Sequence, residues 1–593
     1  MTNAISECPF EWNLTSLERT KKPECLEEFF PYKTLTEVIA VCNHLKNGKR
    51  FPWMDTLVEM SPATDFCYSD SIQQDEGWFP KPRLDRNSVP KNLFCHDYRG
   101  GYLEDRFING SNQHDAYKFI NWTCVDIFVY FSHHFVTVPP PVWINASHKH
   151  GVPILGTLIT EPKNGHLIWA EILESEKKAE WFAEALAFIA ETHKFDGYLL
   201  NVENSLSVAQ MPCLMIFIKS LKQQLVKHRK SKTYVIWYDS LTVYGELKWQ
   251  NELNYNNKPF FDITDGIFVN YSWREQNLDH CRKMAGERIH DVYVGIDVFG
   301  RNMYGGGGFN TKKALQLVRQ KNLSAAIFAF GWTHEKIPGV FPINDEMFWM
   351  SLHSYLNTHG TKQFPFKSSF NRGSGLKYYE RGVVISDAPW FNLSRQSYQY
   401  SYLKCRTKIN DYTTQGIIST IHQYLMVLNE KTDKTPEQEK LKSEKLVSLN
   451  SQLTELYGKL KVALVEYTYN DAYNGGGCIR INPSFEEGMK HVTLFDCDIE
   501  IKNDWLVKTV MKSENEKHLS DVQLYPNVYL VIQTKEGGLI KVELRHGEIE
   551  SSEAGWVIRK FALAQRGRIL EIGLLVNPTH RPVLLGEIAV TDR

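Results

Sequence analysis

Eight short apolar runs, each followed by a segment with helical periodicity, occupy the chain between residues 92 and 332. Apolar runs that alternate with amphipathic helical segments are typical of repeated βα units and a parallel sheet. Eight such units match one (β/α)8 TIM barrel. A doubly wound open sheet is the structural alternative, but no glycine-rich phosphate-binding turn follows the first run. The runs are NLFCHDY (92–98), VDIFVYF (125–131), VPILGTLI (152–159), FDGYLLNVE (195–203), TYVIWYD (233–239), DGIFVNYSW (265–273), VYVGIDVFG (292–300) and SAAIFAFGW (324–332).

The fourth run combines the pattern of a buried strand with two polar residues at its end. Alternate side chains of a strand share a face, so Leu199, Asn201 and Glu203 point the same way. Burying an amide without a partner costs about 1–3 kcal/mol, and an unpaired carboxylate costs far more. Barrel enzymes carry their catalytic residues at the C-terminal ends of the strands. We therefore expect Asn201 and Glu203 to face a site; the alternative is that they cap the strand in solvent or pair with loop amides.

Polar or aromatic residues also end most of the other runs, which a purely structural barrel would not need. Because the carboxyl ends of all strands meet at one mouth of a barrel, these residues are candidates for substrate binding. They are His96, Tyr238, Asn270, Trp273, Asp297 and Trp332.

The composition narrows the class of partner and the compartment. The net charge is −1 without a basic block, which disfavours nucleic acid and anionic membrane surfaces as partners. The N-terminus lacks the pattern of a secretory signal, and no apolar run is long enough to span a membrane. The 11 cysteines form no CxxC pair, which favours reduced thiols over disulfides or a metal site. We expect a cytosolic protein with no obligate protein partner.

The remainder of the chain divides by its patterning. We expect 1–89 to pack on the barrel, 90–365 to form the barrel, and 366–429 to be β-rich. Residues 430–450 form a mixed-charge insert or linker, in which the run 430–445 should be a solvated loop or disordered. Period-2 runs recur over 451–593 and predict a C-terminal antiparallel β-sandwich.

An amide beside a carboxylate at a barrel mouth suits one type of glycoside cleavage. Retaining glycosidases usually use two carboxyl groups, but in substrate-assisted enzymes the N-acetyl group of the substrate replaces the nucleophile. Glu203 would protonate the leaving oxygen and later deprotonate water, which requires a raised pKa. Asn201 would orient the acetamide as it closes to an oxazoline, and Tyr238 could donate a hydrogen bond to the acetamide carbonyl.

Several motifs carry a resemblance to a known family. The strand DGYLLNVE is similar to the DGxDxDxE strand of family 18 chitinases, with Leu199 and Asn201 replacing its last two Asp residues. Together with CHDYRGGY, VIWYDSL, WQNELN, FVNYSW, VGIDVFGR and YNDAYNGGG, this variant resembles glycoside hydrolase family 85. The resemblance implies a barrel with attached β-sandwich domains that needs no metal or cofactor. It also implies hydrolysis of the β-1,4 bond between the two N-acetylglucosamines at the base of N-glycans or free oligosaccharides.

The resemblance also assigns roles to individual positions. The amide and acid pair of the family falls on Asn201 and Glu203, and its acetamide-contacting tyrosine on Tyr238. Subsite aromatics fall on Trp249 and Trp273, and the first-strand histidine on His96. One alternative is a chitinase-like β-N-acetylglucosaminidase, in which an Asp would be expected at position 199. The other is an inactive glycan-binding barrel, which would be expected to have lost Asn201 or Glu203.

Overall fold

The computed structural model describes residues 28–69, 82–229, 231–337, 341–401, 421, 435–459, 464–483, 488–502, 504–514, 525–551, 554–577 and 581–593. Eight parallel strands in this part of the chain form a closed barrel, because the eighth strand pairs with the first. Each strand pairs in parallel with the next one along the chain. The prediction of a (β/α)8 barrel is confirmed. The strands are β1 (Asn92–His96), β2 (Ile127–Tyr130), β3 (Ile154–Thr160), β4 (Gly197–Val202), β5 (Tyr234–Tyr238), β6 (Gly266–Val269), β7 (Val292–Asp297) and β8 (Ser324–Phe328).

Helices cover the outside of the barrel and follow the predicted periodicity. One of these helices spans Glu176–Thr192, and the Ser175 side chain caps its first turn by accepting from the Lys178 N–H. Its residues at helical spacing, Trp181 to Ile189, are buried against the barrel. The α-helices described between residues 28 and 352 are Leu35–Lys46, Pro141–Lys149, Gly165–Ile172, Glu176–Thr192, Met211–His228, Lys258–Ile263, Glu275–Ala285, Thr311–Gln320, Trp332–Glu335 and Phe341–Leu352.

Strand alternation separates two apolar cores. Side chains such as Leu93, Val129 and Ile236 meet inside the barrel in one cluster. Their neighbours in sequence, such as Phe94 and Phe128, pack outward against the helices in a second and larger cluster. The period of two along each strand therefore decides which residues can reach the barrel interior.

The lower end of the barrel is held by a buried carboxylate. Asp196, just before β4, is fully buried and accepts hydrogen bonds from Arg229 Nη2 (2.9 Å) and from the Ile154 N–H (3.0 Å), and its Oδ2 lies 2.8 Å from His148 Nε2. Burial alone would raise the pKa of Asp196, but the charges and hydrogen bonds of His148 and Arg229 outweigh burial and hold the pKa below its usual value. This position, far from the C-terminal strand ends, gives Asp196 a structural role.

Two further sheets are separate from the barrel sheet, and their strands come from distant parts of the chain. The first sheet contains Leu84–Asp85, Ala63–Ser69, Asn357–Thr361, Lys490–Ile501, Gly567–Val576, Asn527–Gln533 and Leu539–Leu544 in that order. The second contains Val465–Thr468, Cys478–Ile481, Val583–Asp592, Trp505–Ser513, Val557–Leu563 and Glu548–Ser551, with Phe366–Ser368 also paired to Val583–Asp592. The pairings are antiparallel except between Asn357–Thr361 and Lys490–Ile501. The predicted antiparallel C-terminal region is confirmed.

Smaller elements complete the described structure. Short strands are present at Val136–Thr137, Ser374–Gly375, Tyr378–Glu380, Val383–Ser386 and Trp390–Phe391. Short 3-10 helices span Pro52–Thr56, Glu104–Arg106, Trp122–Cys124, Val208–Gln210, Gly286–Asp291, Gly308–Asn310, His353–Tyr355 and Leu393–Arg395. No helix among the described residues is both long and apolar enough to cross a membrane.

The mixed-charge run departs from its predicted structure. A helix spans Pro436–Lys459, so the prediction of a loop or disordered insert was wrong over 436–445, while 430–434 lie outside the described residues. The side chains of 435–445 are mostly exposed, as their charges require. Glu, Gln, Lys and Leu all have high helix propensity, and this preference decides the structure where little apolar contact is available. The predicted domain boundaries stay predictions.

Candidate active site

A cavity of about 210 Å³ opens at the C-terminal ends of the barrel strands. This is the end at which barrel proteins carry their functional residues. Its walls combine apolar rings with several polar and charged groups. The lining residues are Cys95, Asp97, Phe131, His133, Leu199, Asn201, Glu203, Tyr238, Phe268, Tyr271, Asp297, Arg301 and Phe328.

Strand β4 delivers the predicted amide and carboxyl pair to this cavity. Leu199, Asn201 and Glu203 all line it, whereas Leu200 and Val202 are buried on the other face of the strand. Asn201 pairs in register with Ile159 of β3, and the Glu203 N–H donates to the Thr160 carbonyl at 2.8 Å. The backbone therefore fixes where both side chains enter the cavity.

The surroundings of Glu203 favour its protonated form. Partial burial raises the pKa of Glu203, and the nearby charge of Glu161 raises it further. A hydrogen bond from Asn201 and the charge of His133 oppose the rise without cancelling it. A carboxyl group with a raised pKa is suited to donate a proton near neutral pH.

The two ends of the Asn201 carboxamide differ in their hydrogen bonding. Its side chain hydrogen-bonds to Glu203, which only its NH2 group can do toward a carboxylate. Its Oδ1 is buried and has no hydrogen-bond partner among the described residues. Buried polar atoms are rarely left without a partner. Because Asn201 lines the cavity, this oxygen can accept an N–H or O–H group from a bound molecule.

A network of amides stands behind Tyr238, which ends β5 and lines the cavity. The Tyr238 hydroxyl donates to Asn270 Oδ1 at 2.8 Å, and Asn270 Nδ2 donates to Asn251 Oδ1 at 2.8 Å. Asp239 is buried beside this network, and its burial raises its pKa to about 6. The hydrogen bonds that it accepts, mainly the one from Asn257, oppose this rise. Tyr238 is therefore anchored from behind the cavity wall.

Three of the six predicted substrate-binding residues lie at or beside the cavity. Asp297 lines it and is held by Arg301, whose Nε and Nη2 donate to the two carboxylate oxygens at 2.7 and 3.2 Å. Asn270 does not line the cavity, but it accepts a hydrogen bond from the hydroxyl of Tyr238, which does. Trp249 does not line the cavity but is 40% exposed, and a hydrogen bond from its side chain opposes the rise that burial causes in the pKa of Tyr238.

The other three predicted residues are buried away from the cavity. His96 is 2% exposed and packs against Trp143 at 4.6 Å between ring centroids; burial lowers the pKa of His96 to about 3. Strand alternation explains this correction, because Cys95 and Asp97 line the cavity and the residue between them must point outward. Trp273 is buried with its Nε1 donating to the Gly295 carbonyl at 2.7 Å, and Trp332 is buried among apolar residues. None of these three side chains lines the cavity.

The structure adds Phe131 and His133 to the cavity and, among the polar residues at the end of β1, selects Asp97 in place of His96. Phe131 and His133 extend the inward face of Val129 past the end of β2, and Asp97 extends that of Cys95 past β1. Continuing the strand alternation by two residues beyond Cys95 and Val129 finds Asp97 and Phe131, and two more residues reach His133. His133 Nδ1 lies 3.1 Å from Glu161 Oε1, which joins the loops after β2 and β3 at the mouth. Within the described residues, no group of three or more His, Cys, Asp or Glu side chains is arranged to hold a metal ion.

The closed barrel and the polar cavity at its mouth define a (β/α)8-barrel protein with polar and charged groups gathered at the C-terminal strand ends. Residues 101–378 match the model of glycosyl hydrolase family 85. The resemblance to this family that the motifs indicate is thereby confirmed over most of the barrel.

Curated relatives are identical to this chain at nearly half of the aligned positions. The cytosolic endo-beta-N-acetylglucosaminidase of Gallus gallus is 47% identical over 315 residues, which is 53% of this chain and 43% of that protein. The protein of the same name from Homo sapiens is 46% identical over 313 residues, 52% of this chain and 42% of that protein. Cytosolic endo-beta-N-acetylglucosaminidase 1 of Arabidopsis thaliana is 44% identical over 314 residues, 52% of this chain and 46% of that protein. The chain therefore spans less than half the length of these relatives.

A solved structure shares the fold over most of the chain. The glycoside hydrolase domain of Endo-D from Streptococcus pneumoniae R6 superposes with a TM-score of 0.65 at 18% identity. The superposition covers 92% of this chain and 81% of that chain. At this identity the likeness establishes the shared architecture.

Proposed function

We propose that the protein is an endo-acting glycosidase that hydrolyses the β-1,4 bond in the N,N′-diacetylchitobiose core of N-glycans, on glycoproteins or free oligosaccharides. The observation that carries the proposal is the arrangement of Asn201 and Glu203 on one face of β4, inside the cavity at the barrel mouth. The name shared by the curated relatives supports this activity and a cytosolic location.

The proposed reaction is retaining and substrate-assisted. The acetamide carbonyl oxygen of the sugar bonds to the anomeric carbon while the bond from that carbon to the leaving oxygen breaks. Glu203 gives its proton to the leaving oxygen and becomes a carboxylate. Water then bonds to the anomeric carbon, the oxazoline-type ring opens, and Glu203 takes the proton from the water.

Asn201 acts on the acetamide in this reaction. Its unpartnered Oδ1 accepts the acetamide N–H, which turns the acetamide oxygen toward the anomeric carbon. The other end of the amide holds Glu203 through their hydrogen bond. One residue therefore orients both the nucleophile of the substrate and the proton donor of the protein.

Mass analysis of the products from a chitobiose-core glycopeptide tests the proposal. We expect one N-acetylglucosamine to remain on the peptide and the other to leave with the glycan. Release of both sugars together, or no cleavage under conditions where the protein is folded, would contradict it. Cleavage of chitin oligomers without cleavage of the glycopeptide would favour the chitinase-like alternative.

A further inference from the structure

The Tyr238 hydroxyl ends a chain of hydrogen bonds that starts at a backbone amide. The Ser272 N–H donates to Asn251 Oδ1 with an N···O distance of 3.1 Å. Asn270 Nδ2 donates to the same oxygen at 2.8 Å. The Tyr238 hydroxyl in turn lies 2.8 Å from Asn270 Oδ1. The chain connects the loop after β5 with the end of β6 behind the cavity wall.

Only one donor-to-acceptor direction is consistent with this series of hydrogen bonds. A backbone N–H can only donate, so the Asn251 atom that meets Ser272 is the carbonyl oxygen. Asn270 must then present its NH2 group to that oxygen, which leaves its own carbonyl oxygen facing Tyr238. An amide oxygen only accepts, so the proton of the phenol points at Asn270. One backbone amide therefore sets the direction of all three hydrogen bonds.

A buried carboxylate holds Asn251 in place. Asp239, only 1% exposed, accepts from the backbone N–H of Asn251 at 2.7 Å and of Gln250 at 3.2 Å. It also accepts from Asn257 Nδ2 at 3.0 Å. Asn251 has a φ of 57°, a conformation that Asn adopts more readily than most residues. The loop is thus ordered by the protein itself, before a substrate arrives.

The phenol oxygen receives a second contact from Trp249. Burial raises the pKa of Tyr238 well above its ordinary value, and a hydrogen bond from the Trp249 side chain opposes that rise. An indole N–H only donates, so the phenol oxygen is the acceptor. With its single proton directed at Asn270, Tyr238 offers the cavity a lone pair and no donor.

We propose that Asn251 and Asn270 are positioning residues that keep the hydroxyl proton of Tyr238 out of the cavity, so that its oxygen meets the sugar as an acceptor of an O–H or N–H group. This inference rests on the proposed function and reverses the donor role that the sequence suggested for Tyr238. The acetamide oxygen attacks with one of its lone pairs, and a Tyr238 oxygen that only accepts does not compete for them.

Neutron diffraction from the deuterated full polypeptide chain tests the direction of these hydrogen bonds and does not depend on activity. We expect the Tyr238 deuteron to lie between its oxygen and Asn270 Oδ1, and both Asn270 Nδ2 deuterons to be visible, one of them toward Asn251. A Tyr238 deuteron that points into the cavity, or an Asn270 amide in the opposite orientation, would overturn the inference.

Kinetics of matched variants test the consequence for the reaction. Asn251→Gly removes the acceptor but tolerates the positive φ and keeps the backbone bond to Asp239. Asn251→Asp keeps an acceptor oxygen and also tolerates this conformation. We expect Asn251→Gly to lower kcat about three- to tenfold without raising KM, as the loss of one oriented hydrogen bond implies. Asn251→Asp should retain more of kcat than Asn251→Gly.

The Tyr238→Phe background separates positioning from a general structural role. Without the hydroxyl, Asn251→Gly should cause no further loss of kcat, since it acts through that group. An equal loss in both backgrounds, a rise in KM alone, or unchanged kinetics would overturn the inference. A wild-type protein that leaves chitobiose-core glycans uncut would reject the proposed function instead, and the neutron result would still decide the direction of the hydrogen bonds.

Discussion

Asn201 and Glu203 project from the same face of β4 into one cavity, where the amide of Asn201 hydrogen-bonds the carboxyl group of Glu203. The pair contains one group with a raised pKa and one buried acceptor that has no partner among the described residues. A proton donor beside an acceptor for an N–H group is the arrangement that the proposed substrate-assisted reaction needs.

Glu203→Gln should abolish hydrolysis of chitobiose-core glycans, because an amide can neither donate nor recover the proton. Losing a general acid lowers rates by about 10²–10⁴-fold. Initial rates from product mass, together with thermal unfolding to establish that the variant is folded, make the measurement. A rate within a few-fold of wild type would remove Glu203 from the mechanism.

The mouth charges predict shifts of opposite sign in the pH dependence of kcat/KM. Burial is the main cause of the raised pKa of Glu203. The charge of Glu161 raises this pKa further, and the charge of His133 lowers it. Activity requires protonated Glu203, so its pKa sets the alkaline limb of the profile. Glu161→Gln should move that limb to lower pH and His133→Gln to higher pH. Glu180→Gln, an exposed change on helix Glu176–Thr192, is the control; identical profiles for all three would contradict the assignment.

Asp196→Asn should destabilise the barrel by about 3–5 kcal/mol, because it leaves the charge of buried Arg229 without its partner. The folded-state pKa of Asp196 is lowered, so its contribution is present above the unfolded pKa and is lost as the pH falls through the folded value. Wild-type stability should therefore decline below about pH 4 more steeply than that of the variant. Denaturant unfolding at several pH values measures both effects.

The control for Asp196 is Asp262→Asn, which removes one partner of a half-exposed ion pair with Lys258 on helix Lys258–Ile263. Exposed pairs contribute only about 0–1 kcal/mol. A loss for Asp196→Asn as small as that of the control would show that the buried network at the lower end of the barrel does not stabilise the fold.

The barrel was predictable because its signal is local and repeated. A short apolar run indicates each strand. Apolar residues at helical spacing indicate the helices, such as Glu176–Thr192. The first large sheet was not predictable in the same way, since it joins Ala63–Ser69 to Asn357–Thr361 and to strands beyond residue 490. Pairing between such distant strands leaves no local pattern. The helix Pro436–Lys459 was not predicted, because a mixed-charge segment with few apolar residues also fits a solvated loop, and only its helix propensity separates the two.

Strand alternation also decides which site residues the sequence could identify. It places Asn201 and Glu203 correctly, because both continue the inward face of Leu199. Applied to the first strand, the same rule excludes His96 and selects its neighbour Asp97. Trp273 lies beyond the end of its strand, in a loop whose course the period of two does not determine.

The central claim concerns Asn201, and the paired activities of Asn201→Ala test it most directly. The measurement compares hydrolysis of a chitobiose-core glycan with transfer from a synthetic sugar oxazoline to an N-acetylglucosamine acceptor. If Asn201 orients the acetamide for attack, its role ends once the ring has closed, and Glu203 remains as the base for the second step. We predict loss of hydrolysis with retention of transfer from the oxazoline. Loss of both activities in a folded variant, or retention of both, would contradict the substrate-assisted role of Asn201.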